Sequence, residues 1–276
     1  RPPWPARAFT SACSTFAIKA NKCPAFPDAT PGQPEASVKV QYLGSGGYLV
    51  KRGKDDAVLF GPVYSNPGLT EVGFDHQIRT DRALVDSLLP SDADTVDAIV
   101  IGHGHYDHAM DTPYIATEKA ETAIVYGSAT LKNMIQSEVP LSRIVDVASY
   151  AGDTVAKKKA RPIDLGHNMR LWPIKSQHSD QSRLKIGLFG LNVPMHMWRG
   201  VVTKPMSALP TNVSGWAEGE VYSYVLDFME GGKVAFRLYY QDSGTDQPIG
   251  YPLLDERPED GRAIDVLLLC VGGDFE

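Results

Sequence analysis

The residue types best suited to chemistry are concentrated in one short stretch. Three histidines and an aspartate fall there within six residues: His103, His105, Asp107 and His108. Imidazole nitrogens and carboxylate oxygens are ligands for zinc and similar ions, and a short loop that presents several of them loses less entropy on binding than scattered residues would. An apolar run at 98–101 precedes them, so we expect the ligands where a buried strand leaves a sheet. Cysteine takes no part in the pattern, which argues against a structural zinc finger.

The spacing within this stretch divides the four side chains into two pairs. His103 and His105, two residues apart, can point the same way from an extended segment. Asp107 and His108 are adjacent and lie just beyond, so they suit a neighbouring position, and the stretch can serve two ions side by side. A lone histidine is more often a capping or solvent-exposed residue, but this density favours metal binding.

The run His103-Gly104-His105-Tyr106-Asp107-His108 matches the HxHxDH motif and resembles that of the metallo-β-lactamase superfamily. Two later positions also match in order. His178, after a strand, resembles the family's next ligand, and Asp242 in Tyr-Gln-Asp-Ser-Gly resembles its bridging carboxylate. The resemblance covers residues 38–271.

The resemblance implies a four-layer αββα sandwich of the α/β (α+β) class with two divalent metal ions at one edge. Zinc is the expected metal, with manganese or iron as alternatives. The first ion would be held by His103, His105 and His178, and the second by Asp107 and His108. Asp242 would bridge the two.

Two positions depart from the family pattern. In many members the strand before the motif ends in an aspartate that supports the site, whereas Gly61-Pro62 stands here, so that support is expected from elsewhere. The family's last histidine follows a further strand, and this chain has no histidine after His196. We therefore expect a domain truncated at its C-terminus and a second metal position that lacks one ligand.

The remaining pattern predicts a layered α/β body. Short apolar runs separated by glycines predict strands at 38–43, 48–51, 57–60, 98–101, 122–126, 144–147 and 169–174, a hairpin of 221–230 with 234–240, and a buried strand at 263–271. Apolar stripes with capping residues predict helices at 79–89, after Thr112 with Pro113 as first residue, and at 129–137.

The domain organisation expected is one body, residues 38–276, preceded by a Pro-rich extension, residues 1–37, that packs on it. The irregular segment 181–220 is expected to shape the pocket. Cys13 and Cys23 could form a disulfide, which would indicate export to the periplasm or beyond the cell. Cys270 is expected to be a core thiol.

Composition narrows the partners. The 276 residues carry a net charge of -6, which does not favour nucleic acid. No apolar run approaches the roughly 20 residues that span a bilayer, so we expect a soluble protein with a small-molecule substrate and no transmembrane segment. His76, His167 and His196 are expected to be loop or core residues, and of these His196 is the best candidate for a pocket residue.

The function expected is that of a metal-dependent hydrolase: two ions activate a water, and the resulting hydroxide attacks an ester, lactone, amide or phosphodiester. Asp107 could orient that hydroxide. A second hypothesis is a non-catalytic metal-binding relative. A third is a di-iron redox protein. It is disfavoured because the redox members of the family resemble HxExDH, and this chain has His105 in place of the glutamate of that pattern. A nucleic-acid phosphodiesterase would need a basic track for the backbone, which this chain lacks.

Overall fold

Two six-stranded β-sheets form the body of the protein in the computed structural model, which describes residues 7–12, 37–179, 183–186, 191–194, 199–245, 247–252 and 263–271. The strands, in chain order, are β1 (Arg7–Ala12), β2 (Val38–Gly44), β3 (Gly47–Arg52), β4 (Asp56–Phe60), β5 (Ala98–Val100), β6 (Ile124–Gly127), β7 (Ile144–Asp146), β8 (Ile163–Asp164), β9 (Met169–Lys175), β10 (Arg183–Ile186), β11 (Leu191–Pro194), β12 (Tyr222–Glu230), β13 (Lys233–Gln241) and β14 (Val266–Val271).

The helices in the described residues are short. They are α1 (Leu69–Gly73), α2 (Arg82–Leu88), α3 (Tyr106–Ala109), α4 (Thr112–Glu118) and α5 (Ala129–Ile135), with 3₁₀ turns at Ser91–Thr95, Leu141–Arg143 and Val213–Gly215. None of these helices has the length and apolar character of a membrane-spanning segment.

The first sheet has the order β2-β3-β4-β5-β6-β7. Its first three strands are antiparallel, and β4 to β7 run parallel with helices between them. Both faces are covered, as parallel strands require: every residue of β4 and β5 is buried. The carboxyl ends of β4, β5 and β6 therefore meet at one edge, and the His/Asp stretch follows β5 there.

The second sheet has the order β1-β14-β13-β12-β9-β8. The predicted hairpin is confirmed as β12 and β13, which turn through Gly231 (φ 57°) and Gly232 (φ 78°). Two successive positive φ angles are what a tight hairpin turn requires, and glycine adopts them without steric cost. Residues 7–12 of the predicted extension form β1, which pairs with β14 in parallel. β10 and β11 form a separate two-stranded ribbon.

Aromatic and aliphatic side chains fill the space between the two sheets. Phe60 and Tyr48 from the first sheet meet Tyr240 from the second, with Phe60 and Tyr240 ring centroids 4.5 Å apart. Tyr224 and Phe228 of β12 lie in the same core and are fully buried. Burying side chains of this size stabilises a fold by roughly 1.5–3 kcal/mol each, so this core fixes how the two sheets meet.

The opposite face of the first sheet carries the helices. Leu59 and Ile99 pack there with Val85 of α2, Ile115 of α4 and Leu131 of α5. The two sheets pack face to face, and helices cover the outer face of the first sheet. This arrangement confirms the predicted α/β sandwich. On the outer face of the second sheet, none of the five α-helices in the described part of the chain contributes to the apolar cluster, so the predicted fourth layer stays a prediction.

Most predicted elements are found with small shifts. Asp81 caps α2, accepting a hydrogen bond from the Leu84 amide at 3.0 Å, and Ser128 caps α5 in the same way through the Leu131 amide. One capping prediction is wrong. Asp111, not Thr112, is the residue before α4, and Pro113 is the second residue of the helix. The Asp111 backbone is already helical (ψ -11°), and its carboxylate bonds to a different loop, so it makes no side-chain cap. Cys13, Cys23 and the side chain of Cys270 lie outside the described residues.

Candidate metal centre

The loop between β5 and α3 carries the first two histidines. His103 and His105 lie on the loop, while Asp107 and His108 are in the single turn of α3. Nε2 of His103 and Nδ1 of His105 are 3.1 Å apart, and each of these two side chains is about 1 % exposed. The two imidazole rings therefore come together at one place, as the two-residue spacing predicts.

His178 reaches the same position from the second sheet. It lies three residues beyond the end of β9 at Lys175, and its ring centroid is 4.8 Å from those of both His103 and His105. One ligand atom from each of the three histidines lies within 4.8 Å of the others. We call His103, His105 and His178 the histidine trio.

A second set of potential ligands shares one member with the trio. It consists of His103, Asp107 and His108, whose ligand atoms also lie within 4.8 Å of one another. Nε2 of His108 is 3.5 Å from Oδ2 of Asp107. The Asp107 side chain is 28 % exposed, and His178 is also only partly buried.

Asp242 follows β13 directly and packs against the motif from behind. Its Oδ1 is 3.1 Å from Nδ1 of His103, and its Oδ2 accepts a hydrogen bond from the Gly102 amide at 3.0 Å. A carboxylate acceptor at Nδ1 makes that nitrogen the protonated one and leaves Nε2 of His103 for the trio. Nδ1 of His108 is 3.8 Å from Asp242 Oδ2. All six sequence-predicted site residues are thus brought together, although Asp242 belongs to neither set of ligand atoms.

Burial governs the protonation of the cluster. It lowers the pKa of His103 and His105 well below the usual value, and neighbouring imidazoles lower both further. Burial also lowers the pKa of His178. For Asp107, burial alone would raise the pKa, but the adjacent imidazoles, His108 first, bring it below its usual value. Neutral imidazoles beside an ionised carboxylate are the forms in which these side chains bind metal.

The unpaired polar atoms of the cluster fit a divalent cation. Nε2 of His105, Oδ1 of Asp107 and Nδ1 of His108 are buried without a hydrogen-bond partner, and a buried polar group without a partner costs about 1–3 kcal/mol. Histidine nitrogens and carboxylate oxygens in this number are the donor set of zinc and related ions.

Two glycines allow other segments to approach the motif closely. A Cβ at Gly102 would lie 2.2 Å from Asp242 Oδ1, and a Cβ at Gly104 would lie 2.3 Å from the Ala217 carbonyl oxygen. The Gly104 amide also donates to the Glu218 carbonyl at 2.8 Å. Residues 217–218 thus lie directly against the motif, within the segment that the sequence analysis assigned to the pocket.

The loop after β4 has no acidic side chain at Gly61-Pro62 and is held by a buried aspartate from another part of the chain. Gly61 has φ 46°, and a Cβ there would lie 2.8 Å from the Tyr240 hydroxyl, so this position does not accept a side chain. Instead, fully buried Asp111 accepts hydrogen bonds from the amides of Tyr64 (2.7 Å) and Ser65 (2.9 Å). Burial raises the pKa of Asp111. The sequence analysis missed this residue; an aspartate three positions after the motif was its only signal.

The other histidines do not join the centre. His76 is exposed and stacks on Phe74 with ring centroids 5.8 Å apart. His167 is exposed and contacts the Asp55 carbonyl at 2.8 Å. His196 lies outside the described residues.

The protein is an α/β sandwich that carries a His/Asp cluster, and this cluster fits the HxHxDH motif. No protein-family model matches the sequence, and neither does any curated protein. Among solved structures, the chain is similar to Igni18, a novel metallo hydrolase from the hyperthermophilic archaeon Ignicoccus hospitalis KIN4/I, at 13 % sequence identity and a TM-score of 0.39. The match covers 74 % of this chain and 60 % of that one.

Proposed function

We propose that this protein is a metal-dependent hydrolase whose metal centre is built on the histidine trio. The observation that carries the proposal is the convergence of His103, His105 and His178, from two different sheets, with their ligand atoms within 4.8 Å of one another. Burying an imidazole costs free energy that an apolar side chain in the same place would not cost. A bound cation would offset that cost by using the imidazole nitrogens as ligands.

The proposed centre holds two divalent ions, with zinc as the expected metal. The trio would hold one ion, and Asp107 with His108 would hold the second. Both oxygens of Asp242 already face the Gly102 amide and Nδ1 of His103, so we propose that Asp242 supports the centre from behind instead of bridging the two ions as the family resemblance implies. When bound, such ions lower the pKa of a water molecule and polarise a carbonyl or phosphoryl group.

Asp107 is the proposed catalytic residue. It is the partly exposed acid of the cluster, and its Oδ1 has no hydrogen-bond partner. Its lowered pKa keeps the carboxylate ionised at neutral pH. The Asp107 carboxylate can therefore accept a hydrogen bond from an attacking water and orient it toward the substrate.

The proposed substrate is a small ester, lactone, amide or phosphodiester. A net charge of -6 offers little attraction for a polyanion such as nucleic acid. The buried histidines and the close approach of residues 217–218 leave the reacting group to enter beside Asp107.

The test combines metal quantification with a substrate panel. Purified wild-type protein, His105→Ala and the control His76→Ala, which changes an exposed histidine outside the cluster, are analysed by elemental mass spectrometry and assayed on lactone, ester, β-lactam, phosphodiester and thioester substrates. We expect bound metal and turnover in wild type and His76→Ala, and loss of both in His105→Ala. Equal metal content and activity in all three proteins would overturn the proposal. Metal without turnover would favour the non-catalytic relative, and iron with oxygen reduction the redox protein.

A further inference from the structure

His178 is the trio member that comes from the second sheet. It lies on the loop after β9, and its own Nδ1 donates to the carbonyl of the next residue, Ser179, at 2.7 Å. This bond makes Nδ1 the protonated nitrogen and leaves Nε2 for a ligand. It orients the ring only within its own loop, however, so a further contact must set the loop relative to His103 and His105.

That contact is made by Ser243. Its hydroxyl oxygen accepts a hydrogen bond from the Ser179 amide at 2.9 Å, and it lies 3.5 Å from the Ser179 hydroxyl. Ser243 is 5 % exposed, so water does not replace this bond easily. The two residues are 64 positions apart, and the bond joins the loop after β9 to the end of β13.

Ser243 also adjoins the residue that holds His103. Asp242, its neighbour in the chain, contacts Nδ1 of His103 and the Gly102 amide. A continuous path of one peptide bond and hydrogen bonds therefore runs from His103 through Asp242, Ser243 and Ser179 to His178. Two members of the trio from different sheets are fixed by two successive residues.

We propose that Ser243 is a positioning residue that sets His178 in the geometry the metal centre requires. The inference rests on the proposed metal centre and goes beyond it, because it assigns the placement of one ligand to a hydroxyl that does not bind metal. Residues that orient a metal ligand from behind typically change metal affinity about 10–100-fold when removed. If Ser243 were only a structural residue, Ser243→Ala would lower the free energy of unfolding without acting through His178.

The experiment is a double-mutant cycle read out by zinc affinity, measured by competition with a chromogenic chelator. The proteins are wild type, Ser243→Ala, His178→Ala and the double variant, with Ser87→Ala as a control, since Ser87 makes one local bond to the Leu84 carbonyl. We expect about 10–100-fold weaker zinc binding for Ser243→Ala and wild-type binding for Ser87→Ala. In the His178→Ala background, Ser243→Ala should change the affinity less than about twofold, because non-interacting sites add and coupled ones do not.

Two further variants guard against a folding defect. Ser243→Thr keeps the hydroxyl and should restore most of the affinity, and Ser243→Cys keeps the shape with a weaker acceptor and should give an intermediate loss. Wild-type zinc affinity in Ser243→Ala and Ser243→Cys, or an equal loss with and without His178, would overturn the proposal. If His178→Ala binds zinc as tightly as wild type, the proposed metal centre is itself wrong. That result is distinct from one that overturns only the role of Ser243.

Discussion

Oδ1 of Asp242 lies 3.1 Å from Nδ1 of His103, although the two residues are 139 positions apart in the chain. The other oxygen of the same carboxylate accepts from the Gly102 amide at 3.0 Å. The two oxygens of the buried Asp242 carboxylate therefore contact His103, the first ligand of the motif, and Gly102, the residue before it. This contact ties the end of β13 to the loop after β5.

Asp242→Asn tests that relationship. An asparagine offers one acceptor oxygen, so it can serve either the Gly102 amide or His103 Nδ1 but not both. We expect about 10–100-fold weaker zinc binding, measured by chelator competition. Asp86→Asn, which removes an exposed acid on α2 paired with Lys119, is the matched control and should bind zinc like wild type. Unchanged affinity in Asp242→Asn would show that this carboxylate has no role in the centre.

Gly104→Ala tests the close approach of residues 217–218 to the motif. Its Cβ would lie 2.3 Å from the Ala217 carbonyl oxygen, and backbone cannot move away cheaply. Overpacking of this kind costs about 1–3 kcal/mol, measured as the free energy of unfolding in urea. Gly73→Ala is the control, because a Cβ there meets nothing within 4 Å. A Gly104→Ala protein as stable as Gly73→Ala would mean that the segment does not lie against the motif.

Asp111→Ala tests how the loop after β4 is held. It would leave the Tyr64 and Ser65 amides without their acceptor, at about 1–3 kcal/mol for each buried group. Asp111→Asn keeps an acceptor oxygen, so we expect it to lose much less stability in the same urea titration. Equal losses in the two variants would indicate that the charge, and not the pair of hydrogen bonds, is what matters.

His167 predicts a pH dependence of stability away from the centre. The hydrogen bond to the Asp55 carbonyl and the charge of Asp97 raise its pKa. A histidine whose folded-state pKa exceeds its unfolded value, about 6.5, stabilises the fold fully below that value and loses the contribution as pH rises through the folded pKa. His167→Asn suits the local φ of 49°. We therefore expect it to lower the free energy of unfolding relative to wild type, and to lower it more at pH 6 than at pH 8.5. The urea midpoints of both proteins at the two pH values measure this, and a gap that widens with rising pH contradicts it. Because the side chain is 52 % exposed, high salt should shrink the difference.

Short-range patterns predicted the parts of this site that lie close together in sequence. His103, His105, Asp107 and His108 are recognisable because their spacing is local, and a strand before them is enough to place them at a sheet edge. His178 and Asp242 could be matched only through a family resemblance, since nothing near them in the chain indicates a metal.

The residues that bond to distant backbone amides were not predictable in this way. Asp111 and Ser243 bond to backbone amides 46 and 64 positions away, and a backbone amide leaves no mark in the sequence. The cap of α4 was misassigned because the helix begins one residue earlier than predicted, at Thr112. The pairs meet because strands distant in the chain share a sheet: β4 and β5 lie in the first sheet, and β9 and β13 in the second.

Anomalous diffraction from crystals of the zinc-loaded protein, measured on both sides of the zinc absorption edge, locates the bound ions relative to the histidine trio. We predict an anomalous peak about 2.0–2.1 Å from one nitrogen of each of His103, His105 and His178, with a second beside Asp107 and His108. Zinc-loaded crystals whose anomalous peaks all lie away from the histidine trio would contradict it.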